Sequence, residues 1–369
     1  MKQLDDSTEE RKADHIEICL EEDVQAQRAT TGFEDVYLVH KALPEIERKK
    51  IDISTTAFGY KFSAPLFVGA MTGGTAEATK INSAIAEAVE ELNLGMGVGS
   101  QRVAIDNPKV ERSFSIVREK APTAFIVANI GGPQLVSNYG VKEAEKAVKM
   151  VQANALAIHL NPLQEAVQPE GDTNYSNLLQ RICRVSQELD VPVIVKETGA
   201  GIAAEDAAML EAAGLAGIDV AGVGGTSWAA VEYYRAKARQ DVSSQRLGET
   251  FWDWGIPTAV SLVEMVKSVT LPVIASGGIR NGIDAAKALA LGAILASATY
   301  PFLEPATKSS EDVKKALKYL VEEVRNAMFL VGANSIQKLK KVPVVLTGKT
   351  AEWLKLRGFQ PEDYARRKT

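Results

Sequence analysis

Leu271-Pro272-Val273-Ile274-Ala275-Ser276-Gly277-Gly278-Ile279-Arg280 places a proline-opened apolar strand directly before a glycine pair and an arginine. Proline fits the first position of a strand, where no ladder N–H is needed. The paired glycines let backbone N–H groups approach a phosphate at a helix N-terminus, and Arg280 adds charge; a plain tight turn is the alternative. The opening recurs upstream as Val191-Pro192-Val193-Ile194, a weak internal repeat.

Working outward, short apolar runs occur at 66–70, 95–99, 125–129, 156–160, 193–196, 218–221, 273–276 and 294–297, each separated from the next by a helix-length segment. This alternation implies βαβ units around a parallel sheet buried on both faces. Between the first two runs, Ile81, Ala84, Ile85, Ala88, Val89 and Leu92 form one helical stripe that would pack outside the sheet. Eight units could form an open doubly wound sheet. Their unbroken run, with polar residues at several strand ends, favours closure into a (β/α)8 TIM barrel. The 369 residues exceed the roughly 250 of a bare barrel. We therefore divide the α/β chain into an N-terminal extension (1–63), a barrel (64–331) with an insertion after strand six (223–256), and a C-terminal extension (332–369). The extensions and the insertion are candidate lids and interfaces. A helix is expected at 350–357, and the basic end Arg366-Arg367-Lys368 reads as a solvated terminus.

With 46% hydrophobic and 24% charged residues, the composition is that of a globular protein. A net charge of −5 gives no field for nucleic acid. Cys19 and Cys183 are too far apart for a disulfide framework or a structural zinc site, which suggests a reducing compartment. Met1-Lys2-Gln3-Leu4-Asp5-Asp6 shows no leader-like apolar region, and no apolar run approaches a membrane span, so the expected location is the cytoplasm, with no membrane partner.

Barrel catalysis sits at the C-terminal strand ends, which directs attention to the polar residues there. The turn 276–280, with Gly278, Ile279 and Arg280, is the first candidate phosphate site. The loop after strand eight, with Thr299 and Tyr300, is its usual companion. Ala70-Met71-Thr72-Gly73-Gly74 offers backbone groups and a hydroxyl to a flat heterocycle. Gly99-Ser100-Gln101-Arg102 brings together a hydroxyl, an amide and a guanidinium suited to phosphate, unless Arg102 only makes a surface ion pair. Asn129 and Lys196 end strands three and five. Lys196 either balances a reduced cofactor ring or makes a structural ion pair. His159 and Asn161 share one side of strand four, although His159 could be a satisfied core residue. Gln164 and Glu165 follow in the loop, where a lone carboxylate near phosphate suits Mg²⁺ but not zinc. Thr226-Ser227-Trp228 follows strand six. Trp228 either packs or stacks on an apolar or cationic substrate, with Glu232 one helical turn on.

Together with Arg11-Lys12-Ala13-Asp14-His15 and Trp254-Gly255-Ile256-Pro257-Thr258, these motifs resemble the type 2 isopentenyl-diphosphate isomerases. That family consists of flavin-dependent barrels that interconvert isopentenyl and dimethylallyl diphosphate in isoprenoid biosynthesis. The run Asn161-Pro162-Leu163-Gln164-Glu165 and the pair Arg11-Lys12 carry most of the likeness. The resemblance implies FMN contacts from Ala70, Met71, Thr72, Ser100, Asn129, Lys196, Thr226, Gly278 and Arg280. It implies substrate contacts from Arg11, Lys12, Ser100, Gln101, Arg102 and Gln164, with Mg²⁺ on Glu165. His15, His159, Asn161, Trp228 and Glu232 would lie near the reacting carbons. Reduced FMN would take part in the proton transfers, NADPH or NADH would serve only to reduce it, and the chain would assemble as a homotetramer or homo-octamer. After strand eight the sequence departs from the family pattern, with Thr299-Tyr300 before Pro301.

Two rivals remain. An FMN-dependent oxidoreductase of the α-hydroxy-acid oxidase type would need a histidine base, but His15, His40 and His159 are the only histidines and none lies in a His-Gly-x-x-Gly-Arg-like setting. A non-catalytic flavin-binding barrel would leave Arg102, Gln164 and Glu165, at separate strand ends, without a task.

Overall fold

A computed structural model describes residues 8–368. The stretch 1–7, including the residues read for a leader, and Thr369 lie outside the described residues. The eight apolar runs form β1 (Leu66–Val68), β2 (Gly95–Gly97), β3 (Phe125–Gly131), β4 (Ala155–His159), β5 (Val193–Lys196), β6 (Gly217–Asp219), β7 (Val273–Ala275) and β8 (Leu295–Ala298). All neighbours are parallel, and the ring closes where Ala296, Ser297 and Ala298 pair with Leu66, Phe67 and Val68. The chain is a closed (β/α)8 barrel, not an open sheet.

Period-two alternation sorts each strand into two faces. Ile126 and Ala128 of β3, Leu156 and Ile158 of β4, Val193 and Val195 of β5 and Val273 of β7 turn outward into the main core beneath the helices. Helix Ala76–Glu91 presents Ile81, Ala84, Ile85, Ala88 and Val89 to that core, capped by Thr75, whose side chain accepts from the Ala78 N–H at 3.0 Å. The opposite parity, Phe67, Phe125, Val127, Ala155, Ala157, Ile194, Ile274 and Leu295, fills the barrel interior. Two residues farther along the same inward face stand Asn129, His159, Lys196, Asp219, Ser276 and Ser297, all at the C-terminal mouth.

The N-terminal extension serves both ends of the barrel, where a lid or interface was expected. Helix α1 (Thr8–Glu21) supplies Arg11, Lys12, His15 and Ile16 to the mouth. The strands Thr55–Ala57 and Tyr60–Phe62 instead form a hairpin that plugs the floor. Its two-residue loop, Phe58-Gly59, has φ of +51° and +77°, the sign that a type I′ turn requires. Phe58, Tyr60 and Phe62 lie 6.0, 5.6 and 5.5 Å from the Phe125 ring at the bottom of β3. Strand Val36–Leu38 pairs antiparallel with Val344–Leu346, so the two extensions are bound to each other. The tail helix spans Gly348–Leu356, two residues earlier at its start than expected.

The insertion after β6 contains α2 (Trp228–Ala238) and helix Val242–Thr250. Val24, Ala230, Val231 and Trp252 form a small separate core where the segment after α1 meets the insertion. Among the described residues, no helix is long and apolar enough to cross a membrane.

Candidate active site

The inward-facing strand ends open into one cavity of about 1720 Å³, including its open mouth.

One end is built from the loops after β6, β7 and β8. Gly277 and Gly278 adopt φ of +98° and +70°. A Cβ on Gly277 would lie 2.1 Å from the Gly222 carbonyl oxygen, and one on Gly278 would lie 2.7 Å from that of Gly224. Only glycine permits this turn, which lines the cavity together with Ile279, Arg280 and Thr226. The helix that follows, α3 (Gly282–Leu291), does not offer the free N-terminus expected from sequence. Its Gly282 N–H donates to Glu323 at 2.6 Å and its Asp284 N–H to Asn281 at 2.8 Å. The Arg280 N–H is likewise taken, by the Asp284 carboxylate at 3.2 Å. The turn therefore faces the cavity without that helix end. Thr299 and Tyr300 line the same end, at the start of helix α4 (Tyr300–Lys308), and the Arg280 guanidinium sits 4.8 Å from the Tyr300 ring centre.

The floor comprises Ala70, Met71, Thr72, Asn129, His159 and Lys196. Lys196 donates to the Glu197 carbonyl at 2.6 Å and makes no ion pair among the described residues. His159 Nδ1 and Asn129 Oδ1 are 2.8 Å apart, and Asn129 Nδ2 donates to the Val98 carbonyl, which identifies Nδ1 as the protonated ring nitrogen. Burial, then the charges of Lys196 and Lys12, lower the His159 pKa to about 3, so the ring is neutral.

The other end is basic. Arg11, Lys12, Ser100 and Arg102 line it. Lys12 Nζ donates to the Ser100 carbonyl at 2.6 Å and lies 5.1 Å from the Phe114 ring centre. Burial, with Arg11 beside it, lowers the Lys12 pKa to about 7. Arg102 is 3.8 Å from Asp106, a loose pair that leaves its fork available.

Between the two ends, Asn161 stands at the N-cap position of the short helix Pro162–Val167, and its Nδ2 donates to the Gln164 and Glu165 side chains at the wall. Glu165 accepts from Asn161 Nδ2 at 2.9 Å, from Gln168 Nε2 at 2.7 Å and from the Asp172 N–H at 2.7 Å. Among the described residues there is no cluster of three or more His, Cys, Asp or Glu able to hold a metal, so an ion at Glu165 would take most of its ligands from water and substrate. Trp228 meets His15 edge-on, with ring centres 5.1 Å apart.

Two expected site residues lie elsewhere. Gln101 is fully buried away from the cavity: its Nε2 donates to the Ala147 carbonyl at 2.9 Å, and its Oε1 accepts from the Asn129 N–H at 2.8 Å. It supports Asn129 and cannot meet substrate. Glu232 stands behind the wall, 3.1 Å from both His15 Nε2 and Gln164 Nε2. Burial opposes its charge, but the hydrogen bonds from His15 and Gln164 and the charge of the Arg235 guanidinium prevail and lower its pKa to about 2.

Sequence reasoning missed Asp219 and Ser297, both buried and both lining the cavity. Counting two residues up the inward face of β6 and β8 would have found them. Asp219 accepts a hydrogen bond from the Ser276 hydroxyl, and burial raises its pKa against the pull of Lys196.

The profile of the FMN-dependent dehydrogenase family matches residues 5–107 and 117–345, and the chain belongs to that class of flavin-binding barrels. A mandelate oxidase mutant superposes with a TM-score of 0.59 at 18% identity over 92% of this chain and 93% of that one. A lactate oxidase from Pediococcus acidilactici gives 0.63 at 18% over 88% of each. At that identity the likeness shows only the shared fold. The isopentenyl-diphosphate delta-isomerase of Methanosarcina barkeri is 51% identical over 97% of this chain and 98% of its own length. The one from Pyrococcus furiosus is 52% identical over 94% and 89%. The chain is thus a member of the isopentenyl-diphosphate delta-isomerase family, an isomerase built on the FMN-dependent barrel.

Proposed function

We propose that this isomerase interconverts isopentenyl and dimethylallyl diphosphate by a 1,3-allylic proton rearrangement, with reduced FMN at the glycine-lined end of the cavity and Mg²⁺ beside Glu165. The observation that carries the reading is the cavity's polarity: a glycine cradle at one end, a cluster of cations at the other, and between them a wall of Asn161, Gln164 and the carboxylate of Glu165. FMN fits the first end. Its wall contains Ser297, whose buried hydroxyl has no hydrogen-bond partner among the described residues, beside a turn that any Cβ would obstruct. Bound reduced FMN would supply acid–base chemistry that an ordinary carboxylic acid is too weak to provide for an unactivated alkene, with NADPH or NADH needed only to keep it reduced.

The chain's own residues bind, orient and exclude water. Arg11, Lys12 and Arg102 hold the diphosphate, with Glu165 completing the grip through Mg²⁺. The anchored five-carbon chain then extends toward Gln164, Asn161, His159 and His15. Trp228 offers its π-face to developing positive charge. Fixing the diphosphate so that the alkene can lie in only one place makes the proton transfers effectively intramolecular. The proposal includes the division of the chain at 63 and 331, with the first segment contributing substrate contacts, assembly into a homotetramer or homo-octamer, and a cytoplasmic site of action.

The test is to purify the protein, record a flavin spectrum, and assay isopentenyl diphosphate anaerobically with FMN, NADPH and Mg²⁺. Formation of dimethylallyl diphosphate that stops when Mg²⁺ is chelated or the flavin is oxidised supports the reading. No product under these conditions refutes it.

A further inference from the structure

Behind the cavity wall lies a charge cluster whose members do not line the cavity. Arg235, on α2 and 3% exposed, directs Nη1 to Glu232 Oε2 at 2.5 Å and Nη2 to Glu170 Oε1 at 2.8 Å, with Nε 3.6 Å from Asp14 Oδ2. Glu232, 1% exposed, keeps Oε1 for His15 Nε2 and Gln164 Nε2. An ionised carboxylate only accepts. It therefore requires a proton on His15 Nε2, while burial, which lowers the His15 pKa, leaves Nδ1 bare, and it turns the Gln164 amide so that its Oε1 accepts from Asn161 Nδ2 at 3.2 Å.

We propose that Arg235 is a positioning residue for the isomerisation: by taking up the charge of Glu232, it leaves His15 neutral in one tautomer and Gln164 in one orientation at the cavity wall. The physical reason is that a buried carboxylate needs a compensating charge. With Arg235 in place the guanidinium provides it. Without Arg235, His15 is the group beside Glu232 that can take up a proton, and an imidazolium–carboxylate pair replaces the neutral ring. The charged groups around His15 are Arg11 on its own helix and Glu232 and Arg235 on α2, while Glu170 and Asp14 face Arg235 from the other side. The inference rests on the reading that His15 and Gln164 face the substrate, but its principal test needs no substrate.

His15, His40 and His159 are the only histidines, so their ring nitrogens can be resolved by long-range ¹H–¹⁵N correlation on the flavin-loaded protein, with His40→Gln and His15→Gln for assignment. The expected result is a neutral Nε2–H ring for His15 between about pH 6 and 8 in the unmodified protein. In Arg235→Met it becomes an imidazolium at neutral pH, with its midpoint raised by at least about two pH units. Arg235→Lys keeps the charge and should keep the ring neutral. Arg235→Gln, which retains a donor to Glu232 without the charge, serves with the same expectation as Arg235→Met if that variant does not fold. In turnover, kcat of the uncharged variant should fall about tenfold or more, KM should stay within about threefold, and the lysine variant should recover most of the loss. A His15 that stays neutral in the uncharged variants, or a lysine variant indistinguishable from them, overturns the proposal. Absence of dimethylallyl diphosphate in the preceding assay would remove the assigned reaction and leave the ring-state result standing.

Discussion

Lys12 offers the sharpest pH test of the substrate end. Its ammonium is held against the Ser100 carbonyl with Arg11 adjacent, and burial lowers its pKa from 10.5 to about 7. A diphosphate binds the charged form, so apparent affinity scales with the protonated fraction of the free enzyme, which is lost as pH rises through 7. With a midpoint near 7, that fraction is about one half at pH 7, one in eleven at pH 8 and one in a hundred at pH 9. KM for isopentenyl diphosphate should therefore rise about fivefold from pH 7 to 8 and about fiftyfold from pH 7 to 9. The range is chosen above the last phosphate ionisation, near pH 6, so that the ligand keeps a constant charge. In Lys12→Met, KM should be high at pH 7 and nearly flat to pH 9, with the flavin spectrum unchanged. The assay is initial-rate kinetics on the flavin-reduced enzyme under argon at constant ionic strength. A flat KM in the unmodified enzyme, or an equal slope in the methionine variant, refutes the assignment of Lys12 to the diphosphate.

Three further outcomes are expected. Gly278→Ala places a Cβ 2.4 Å from Thr31 Cγ2 at φ +70°, a strain of about 1–2 kcal/mol before any displacement of the turn; flavin titration should show at least about tenfold weaker FMN binding. Glu165→Gln removes the carboxylate in reach of the diphosphate grip, so activity should require at least about tenfold more Mg²⁺ at unchanged FMN affinity, read from Mg²⁺ titrations. Phe62→Ala empties the floor plug and should cost about 3–5 kcal/mol in urea unfolding, while kcat of the folded fraction stays near that of the unmodified enzyme.

The barrel was legible because each strand is a buried apolar run and each run is followed by a helix with an apolar stripe, both local signals. The floor plug was not, since Phe58-Gly59 lacks the Asn-Gly or Asp-Gly chemistry that marks a two-residue hairpin, and the cluster it joins is scattered over strands from β1 to β8. At the site, His159, Asn129 and Lys196 could be read directly from strand parity. The same rule reaches Asp219 and Ser297, each masked in the sequence by a run whose small apolar residues continue past it, Val220-Ala221 and Ala298. Parity fails at Gln101 because the chain has left the strand there: with φ −86° and ψ 3°, Gln101 precedes helix Arg102–Asp106 and its side chain turns beneath Asn129. Glu232 lies one helical turn from Trp228 as expected, yet α1 places His15 in front of it. That screening comes from a segment more than two hundred residues away, and no local pattern contains it.

The antiparallel pairing of Val36–Leu38 with Val344–Leu346 has a kinetic consequence. A ribosome releases the first of these strands some three hundred residues before the second exists. During most of synthesis the segment carrying Arg11, Lys12 and His15 lacks that anchor, and the floor hairpin waits for β8 to complete its cluster. Contacts of such long sequence separation form slowly because loop closure must precede them. Synthesis thus completes the barrel strands before the two extensions can pair, and chains stopped short of residue 344 should fold a barrel with α1 docked through Val24 on the insertion while Val36–Leu38 stays unpaired.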